Sequence, residues 1–338
     1  MDSKEVIIKV EGLSKTFKIP EKTSDTGLIS QIKSVLIRKW NEVEVLKDIN
    51  FTIHKGEFIG YIGANGAGKS TTIKLLTGIL HPDKGKIQCL NFNPYKQRYE
   101  YTYHLGVVFG QKSILEYEIP VRASFDLYRE IYELNQEEYH ERLDFFNRTL
   151  NLNEFMHIPV RKLSFGQRMR CEIAASLLHN PEIVFLDEPT IGLDAKAKKE
   201  IRDFLKTINH KQETTIILTT HDMKDIEALC ERVIMIDKGS ILFDGQLNHL
   251  RSQFAVDKSI HFKVSNFIDE EKFNQLKQNC HKTTFVDTIY SWHLNINQHN
   301  ISDFCKKLMS YADLEDLHIQ EQSLEDIVEN IYENGLSY

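Results

Sequence analysis

The chain is 338 residues long, room for about two domains, and its 41% content of hydrophobic residues is enough to build a sizeable core. A formal net charge of −7 argues against general affinity for nucleic acid, which wants a basic surface; the five scattered cysteines (Cys89, Cys171, Cys230, Cys280, Cys305) form no Cys-x-x-Cys pair and read as reduced thiols with no metal or disulfide role. No apolar run approaches the roughly 18–20 residues that span a bilayer, and Met1-Asp2-Ser3-Lys4-Glu5 lacks a signal-peptide profile, so a cytoplasmic chain is expected, with no nucleic-acid partner and no transmembrane segment of its own.

In chain order, residues 5–10 and 49–53 read as strands from their branched apolar content. Between them, over 19–43, Leu28, Ile29, Ile32, Val35, Leu36 and Trp40 recur at helical spacing with Lys33, Arg38 and Lys39 interleaved. This basic amphipathic helix either packs on its own domain or meets a membrane surface or membrane partner. The apolar run 58–62 reads as a strand, and 71–80 as a helix with Ile73, Leu76 and Leu80 on one face. Apolar strands at 105–109, 183–186, 215–219 and 232–236 then alternate with helical patterns at 122–134, 137–150, 166–179 and 195–210, which predicts an α/β fold with a largely parallel sheet covered on both faces. Beyond residue 245 the rhythm changes: a strand at 259–264, a helix at 269–279, strands near 283–287 and 290–296, a helix at 301–310, a strand near 314–319 and a closing helix from Ser323. That β-α-β-β-α-β order predicts a small ferredoxin-like α+β domain over 246–338, appended to a domain over 1–245.

Three segments carry chemistry. Gly63-Ala64-Asn65-Gly66-Ala67-Gly68-Lys69-Ser70 fits Gly-x-x-x-x-Gly-Lys-Ser, the phosphate-binding P-loop, and lies between a strand and a helix as that loop must. Its glycines let backbone N–H groups curl around a β-phosphate, and the helix that starts near Thr71 adds the positive end of its dipole. Lys69 can then reach the β- and γ-phosphates of ATP, and the Ser70 hydroxyl can ligate Mg²⁺. In Glu182-Ile183-Val184-Phe185-Leu186-Asp187-Glu188 a buried strand ends in two acids: Asp187 is placed to hold Mg²⁺ and Glu188 to orient and deprotonate an attacking water. Leu163-Ser164-Phe165-Gly166-Gln167 precedes a helix containing Arg168, Arg170, Ala174 and Ala175; Ser164 reads as its N-cap, with free N–H groups behind it as an anion site.

Taken together, a P-loop, a Leu-Ser-x-Gly-Gln signature about 90 residues later and a Walker B strand about 20 further on resemble the ATP-binding cassette (ABC) family over about residues 5–245. The resemblance implies a P-loop NTPase fold: a RecA-like core with an antiparallel β subdomain and a helical signature subdomain over about 112–180. It implies an ATPase that converts ATP and water to ADP and phosphate. It also implies a head-to-tail dimer, expected as a homodimer, in which Ser164, Gly166 and Gln167 close on the γ-phosphate held by the opposite P-loop. Phe165 stands where a Gly is usual, at a position that varies in the family. By the same resemblance Gln111, in Val107-Val108-Phe109-Gly110-Gln111, is the Q-loop glutamine that contacts Mg²⁺ and water and signals to the membrane partner. Asp194, in Gly192-Leu193-Asp194, is the D-loop aspartate, and His221 is the switch histidine that touches the γ-phosphate. Phe17, in Leu13-Ser14-Lys15-Thr16-Phe17, is the aromatic that stacks on adenine, with a core position as the alternative.

The insertion over 18–44 is similar to those of exporter-type cassettes that pair with ABC-2-like permeases. The stretch Phe109-Gly110-Gln111-Lys112-Ser113-Ile114-Leu115-Glu116-Tyr117-Glu118-Ile119-Pro120 resembles the Q-loop of a bacterial drug or viologen exporter subgroup, with Glu116, Tyr117 and Glu118 in place of Trp-Trp-Asp. Ser323-Leu324-Glu325-Asp326-Ile327 resembles the close of C-terminal appendages on ABC-2 ATPases and is also a capped terminal helix. The resemblance thus implies an ATPase subunit driving export through separate ABC-2-type permease subunits, held peripherally on the inner face of the cell membrane. A polysaccharide or teichoic-acid exporter ATPase ranks second, and a soluble non-transport cassette ATPase is the rival from another class.

Overall fold

The computed structural model describes residues 5–20, 40–110, 112–255, 257–280, 282–295 and 300–335. They form two compact units that divide between Gly245 and Gln246. The amphipathic helix expected within 19–43 falls, up to residue 39, outside the described residues, and so does Gln111.

In the first unit, β1 (Val6–Pro20) and β2 (Trp40–His54) pair antiparallel from Val6 opposite His54 to Pro20 opposite Trp40. This corrects two expectations. The strands run well past 5–10 and 49–53, taking in residues 18–20 and 40–44, and Trp40 belongs to the β2 ladder rather than to a helix. The physical reason is that the far end of the ribbon is held by its ladder and by cross-strand pairs such as Lys18–Glu42 at 3.4 Å. Trp40 to Glu44 are exposed, so no apolar alternation marks them as strand.

β3 (Phe58–Gly63) follows, buried as far as Ile62, and leads through the glycine loop into α1 (Lys69–Leu76). The helix expected over 71–80 therefore starts two residues earlier and stops four earlier. Gly78 ends it: its φ is +70°, and a Cβ there would lie 2.1 Å from the Pro94 carbonyl oxygen. β4 (Lys84–Cys89) pairs with β1, giving a three-stranded sheet in the order β2-β1-β4. After the short α2 (Arg98–Thr102) come β5 (Leu105–Phe109) and a helical region of α3 (Val121–Ile131), α4 (Gln136–Leu150) and α5 (Phe165–Ser176). Then β6 (Ile183–Asp187), α6 (Ala195–Gln212), β7 (Thr215–Thr219), α7 (Met223–Leu229), β8 (Arg232–Asp237) and β9 (Ser240–Gln246) complete a six-stranded sheet in the order β5-β6-β7-β3-β8-β9. Its first five strands pair parallel. Being covered on both faces, they read as unbroken apolar runs.

The two sheets and α1 share one core, in which Ile8, Leu13, Leu46, Tyr61, Ile73, Leu76, Ile234 and Ile236 are buried together. Each such side chain contributes roughly 1.5–3 kcal/mol by leaving water. The core holds β3 and α1 rigidly on either side of the glycine loop. Because β3 lies between β7 and β8 while the chain runs on from β3 to the other end of the sheet, the loop sits at the carboxyl end of the strands where the winding reverses, the place where open α/β sheets bind ligands.

The second unit opens with α8 (Leu247–Phe254). β10 (Asp257–Phe267), α9 (Glu270–Lys277), β11 (Lys282–Val286), β12 (Ile289–Asn295), α10 (Ile301–Tyr311) and β13 (Ala312–Glu321) follow, and α11 (Leu324–Asn334) closes it. Its four-stranded antiparallel sheet has the order β11-β12-β10-β13. Phe262, Trp292, Leu294, Phe273, Phe304 and Leu308 pack into one core between a sheet face and α9 and α10. The opposite face is polar, with Ser259 on His293 at 3.0 Å and His261 on Ser291 at 2.8 Å.

Candidate functional site

The loop 63–70 takes the shape of an anion cradle. Gly66 and Gly68 have φ of +83° and +116°, conformations in which a side chain is strained. A Cβ on Gly63 would come within 2.5 Å of the Ile236 carbonyl oxygen, so β3 and β8 approach there only across a glycine. α1 begins on Gly68 with no side-chain cap, which leaves its first N–H groups directed into the loop. Lys69 extends its ammonium over the loop, donating to the carbonyls of Gly63 at 2.6 Å and Ala64 at 3.2 Å. Partial burial lowers the Lys69 pKa, opposed by the nearby Glu188 and Asp187 carboxylates.

Two other strand ends converge on this loop. Asp187 ends β6, in register with Thr219 at the end of β7. Asp187 Oδ2 lies 3.4 Å from Ser70 Oγ, and Asp187 Oδ1 accepts from Thr219 Oγ1 at 2.5 Å. Ser70 and Asp187 therefore present hard oxygen donors side by side on the loop. That set suits Mg²⁺, which takes one or two protein oxygens and fills its octahedron with water and substrate phosphate. Such an ion would neutralise charge on the phosphoryl group being transferred.

Glu188 is bent out of the strand direction by a left-handed backbone, φ +56°, and its N–H donates to the Thr219 carbonyl at 2.9 Å. Its Oε2 lies 2.8 Å from His221 Nδ1. Burial raises the Glu188 pKa above the ordinary carboxylate range, against the opposing pull of His221 and Lys69. A carboxylate so desolvated is a stronger base towards water than an exposed one. Gly110 closes the site from β5: its N–H donates to the Asp187 carbonyl at 2.9 Å, and a Cβ there would lie 2.8 Å from the same oxygen.

The signature segment assembles elsewhere. Ser164 caps α5 with a full capping box: its Oγ accepts from Gln167 N–H at 3.2 Å, and Gln167 Oε1 accepts from Ser164 N–H at 2.9 Å. The side chain of Gln167 is thereby engaged in the cap. A Cβ on Gly166 would meet Leu193 and Ala197 at ordinary contact distance, so this segment lies against the turn that Asp194 ends by capping α6 through Ala197 N–H at 2.9 Å. Among the described residues no hydrogen bond or ion pair links 164–167 to 63–70. Phe17 is half-buried in β1 opposite Val43, with Lys15 Nζ 5.6 Å from its ring centre. Sequence reasoning did not single out Thr219 or Gly110. Thr219 carried a usable signal, as the polar end of an apolar strand two residues before His221.

A glycine cradle, a lysine above it and paired carboxylates at the neighbouring strand ends define a nucleotide-hydrolysing P-loop ATPase. Comparison with known proteins sharpens the class. Residues 46–191 match the model of the family described as ABC transporter. The chain is 33% identical over 208 residues to the ABC transporter ATP-binding protein NatA of Bacillus subtilis, covering 62% of this chain and 84% of that protein. It is 27% identical over 299 residues to the linearmycin resistance ATP-binding protein LnrL of the same organism, covering 87% and 95%. Among solved structures, the ATP-binding cassette MJ0796, determined as a dimer in a post-hydrolysis state with ADP and Pi, superposes with a TM-score of 0.59 at 26% identity, over 71% of this chain and 98% of that one. The chain belongs to the ABC transporter family as an ATP-binding subunit, and it is an ATPase.

Proposed function

We propose that two copies of this chain bind two ATP and Mg²⁺ between them, each P-loop facing the other copy's Ser164, Gly166 and Gln167, and that closure drives export through separate ABC-2-type permease subunits. The observation that carries this reading is the Glu188–His221 contact beside Asp187 and the P-loop: a base, its neighbouring imidazole and a phosphate cradle together at the carboxyl end of one sheet. The separation of the signature from the P-loop within one chain supports a composite site, as does the dimeric form of MJ0796. The match to LnrL over 95% of that resistance ATPase supports export. Among the described residues no helix is long and apolar enough to cross a membrane, so the proposal gives the pathway to another protein and a place on the inner face of the cell membrane to this one.

In this reading Gly63 to Thr71 hold the phosphates, Ser70, Asp187 and Gln111 hold Mg²⁺, Phe17 stacks on adenine and Asp194 contacts the facing copy. Glu188 takes the proton of the attacking water, while Lys69 and His221 stabilise charge on the phosphoryl oxygens. The 246–338 unit serves as a ferredoxin-like accessory domain.

The test is a pair of variants. Glu188→Gln should bind ATP and form a stable dimer yet lose at least about a hundredfold in turnover, whereas Lys69→Ala should lose ATP binding itself. Steady-state ATPase activity and gel filtration with ATP read both. Full turnover in Glu188→Gln rejects the base assignment, and a native-membrane preparation from which no permease co-purifies rejects the export role.

A further inference from the structure

Asp225, on α7, is fully buried, and no part of the chemistry described so far uses it. Its Oδ2 accepts from Thr190 Oγ1 and, at 3.4 Å, from Thr220 Oγ1. Its Oδ1 accepts from Arg202 Nε at 2.5 Å and faces Arg202 Nη2 as an ion pair. A carboxylate taken wholly out of water is costly unless paired and hydrogen-bonded, and here both oxygens are engaged. Its partners come from three places. Thr190 lies two residues past Glu188, Thr220 immediately precedes His221, and Arg202 projects from α6, whose Lys198 also bonds Asp222 at 2.5 Å.

We propose that Asp225 is a positioning residue for hydrolysis, holding the Glu188 turn and the His221 turn in one register through Thr190, Thr220 and Arg202. Glu188 sits in a left-handed conformation that a non-glycine residue keeps only where its surroundings over-determine it. On one side Glu188 N–H is tied to Thr219. On the other, Pro189 stiffens the chain and Thr190 is tied to Asp225, which also anchors the residue before His221. The 2.8 Å Glu188–His221 contact therefore depends on one buried carboxylate common to both turns. Arg202 neutralises that carboxylate and ties it to α6, the helix capped by Asp194.

The inference rests on the reading of Glu188 as base, and the test separates the two. Thr190→Val keeps the shape of the side chain and the Asp225–Arg202 pair and removes only the hydroxyl; Asp225→Asn keeps the shape and removes the charge. Both should lower kcat about tenfold to a hundredfold, as sub-ångström misplacement does, with KM for ATP unchanged and with thermal melting still cooperative. In single-turnover measurements on a Glu188→Gln background, the same two substitutions should cost no further rate, because the group they position is already gone. Unchanged kcat in both variants, a loss confined to KM, or an equal loss in both backgrounds overturns the positioning role. Full turnover in Glu188→Gln alone overturns instead the reading of Glu188, whatever Thr190→Val and Asp225→Asn do.

Discussion

The P-loop helix and the signature helix both start at a glycine-containing turn and both are expected to face phosphate, yet their first turns are built in opposite ways. α1 starts on Gly68 with no side-chain cap, its N–H groups left to a ligand. α5 starts on exposed Ser164 with a closed capping box, so Gln167 N–H and Ser164 N–H are already satisfied. A bare terminus in a glycine cradle gains most of its hydrogen bonding from an anion and is a strong independent site. A self-capped terminus has less to offer, which suits the second face of the proposed composite site. In the proposed dimer, this difference would let one chain hold ATP by its own loop while the facing copy's α5 encloses it.

The largest effect should come from closing the bare terminus. Gly68→Ala places a side chain at φ +116° with its Cβ 2.6 Å from Leu46 Cδ2. The strain is about 1–3 kcal/mol, and ATP affinity should weaken roughly 10- to 100-fold, read by nucleotide titration of the isolated subunit. Unchanged affinity would mean that the loop does not bind phosphate in this shape. Ser164→Ala probes the other terminus. It should cost about 1 kcal/mol of stability through the lost cap and lower turnover about tenfold, with ATP affinity of the single subunit intact. An affinity that falls as far as turnover would place both termini in one intramolecular site and erase the contrast.

How much of this was legible in the sequence follows from the same physics. The P-loop, Asp187, Glu188 and Ser164 were readable because glycine spacing, an apolar strand running into acids, and a cap residue ahead of a helix are local signals, whereas Asp194 came only from the family resemblance. The β1–β2 ribbon beyond Phe17 was not, because its exposed end is held by cross-strand hydrogen bonds, and Trp40 mimicked a helical stripe. β4 was missed because Lys84-Gly85-Lys86-Ile87-Gln88-Cys89 buries only Ile87 and Cys89, too few positions to show a period. Asp225 was invisible for a different reason: its partners stand 35, 23 and 5 residues away, and only the fold brings them together.

Glu188 offers a smaller and opposite effect. Because burial raises its pKa, the carboxylate costs stability once the pH exceeds the ordinary carboxylate value, and that cost vanishes at lower pH, where both folded and unfolded states are protonated. Glu188→Gln should therefore melt higher than the parent near neutral pH, by a gain that fades as the pH falls through the carboxylate range. A higher-melting parent at neutral pH would mean that the His221 and Lys69 interactions outweigh desolvation.

The smallest effect on turnover is expected at a third helix start, which serves as the control for the other two. Ser323 caps α11 with a box of the same kind as Ser164: its Oγ accepts from Asp326 N–H at 3.1 Å, and Ser323 N–H donates to Asp326 Oδ2 at 3.3 Å. Both serines are exposed, and Ser323 Oγ also donates to Asp326 Oδ2 at 2.6 Å, so Ser323→Ala should cost at least as much, about 1 kcal/mol, in the unit that contains it. Nothing at α11 resembles a phosphate cradle, so ATP turnover should stay at the parental rate while the melting of that unit drops. If Ser323→Ala slows turnover as Ser164→Ala does, loss of a cap acts through general stability, and the signature serine has no claim to contact with nucleotide. If only Ser164→Ala slows it, a serine cap lost in two places, at no smaller cost in α11, separates a cap that only holds a helix from one that also faces the ATP of the neighbouring subunit.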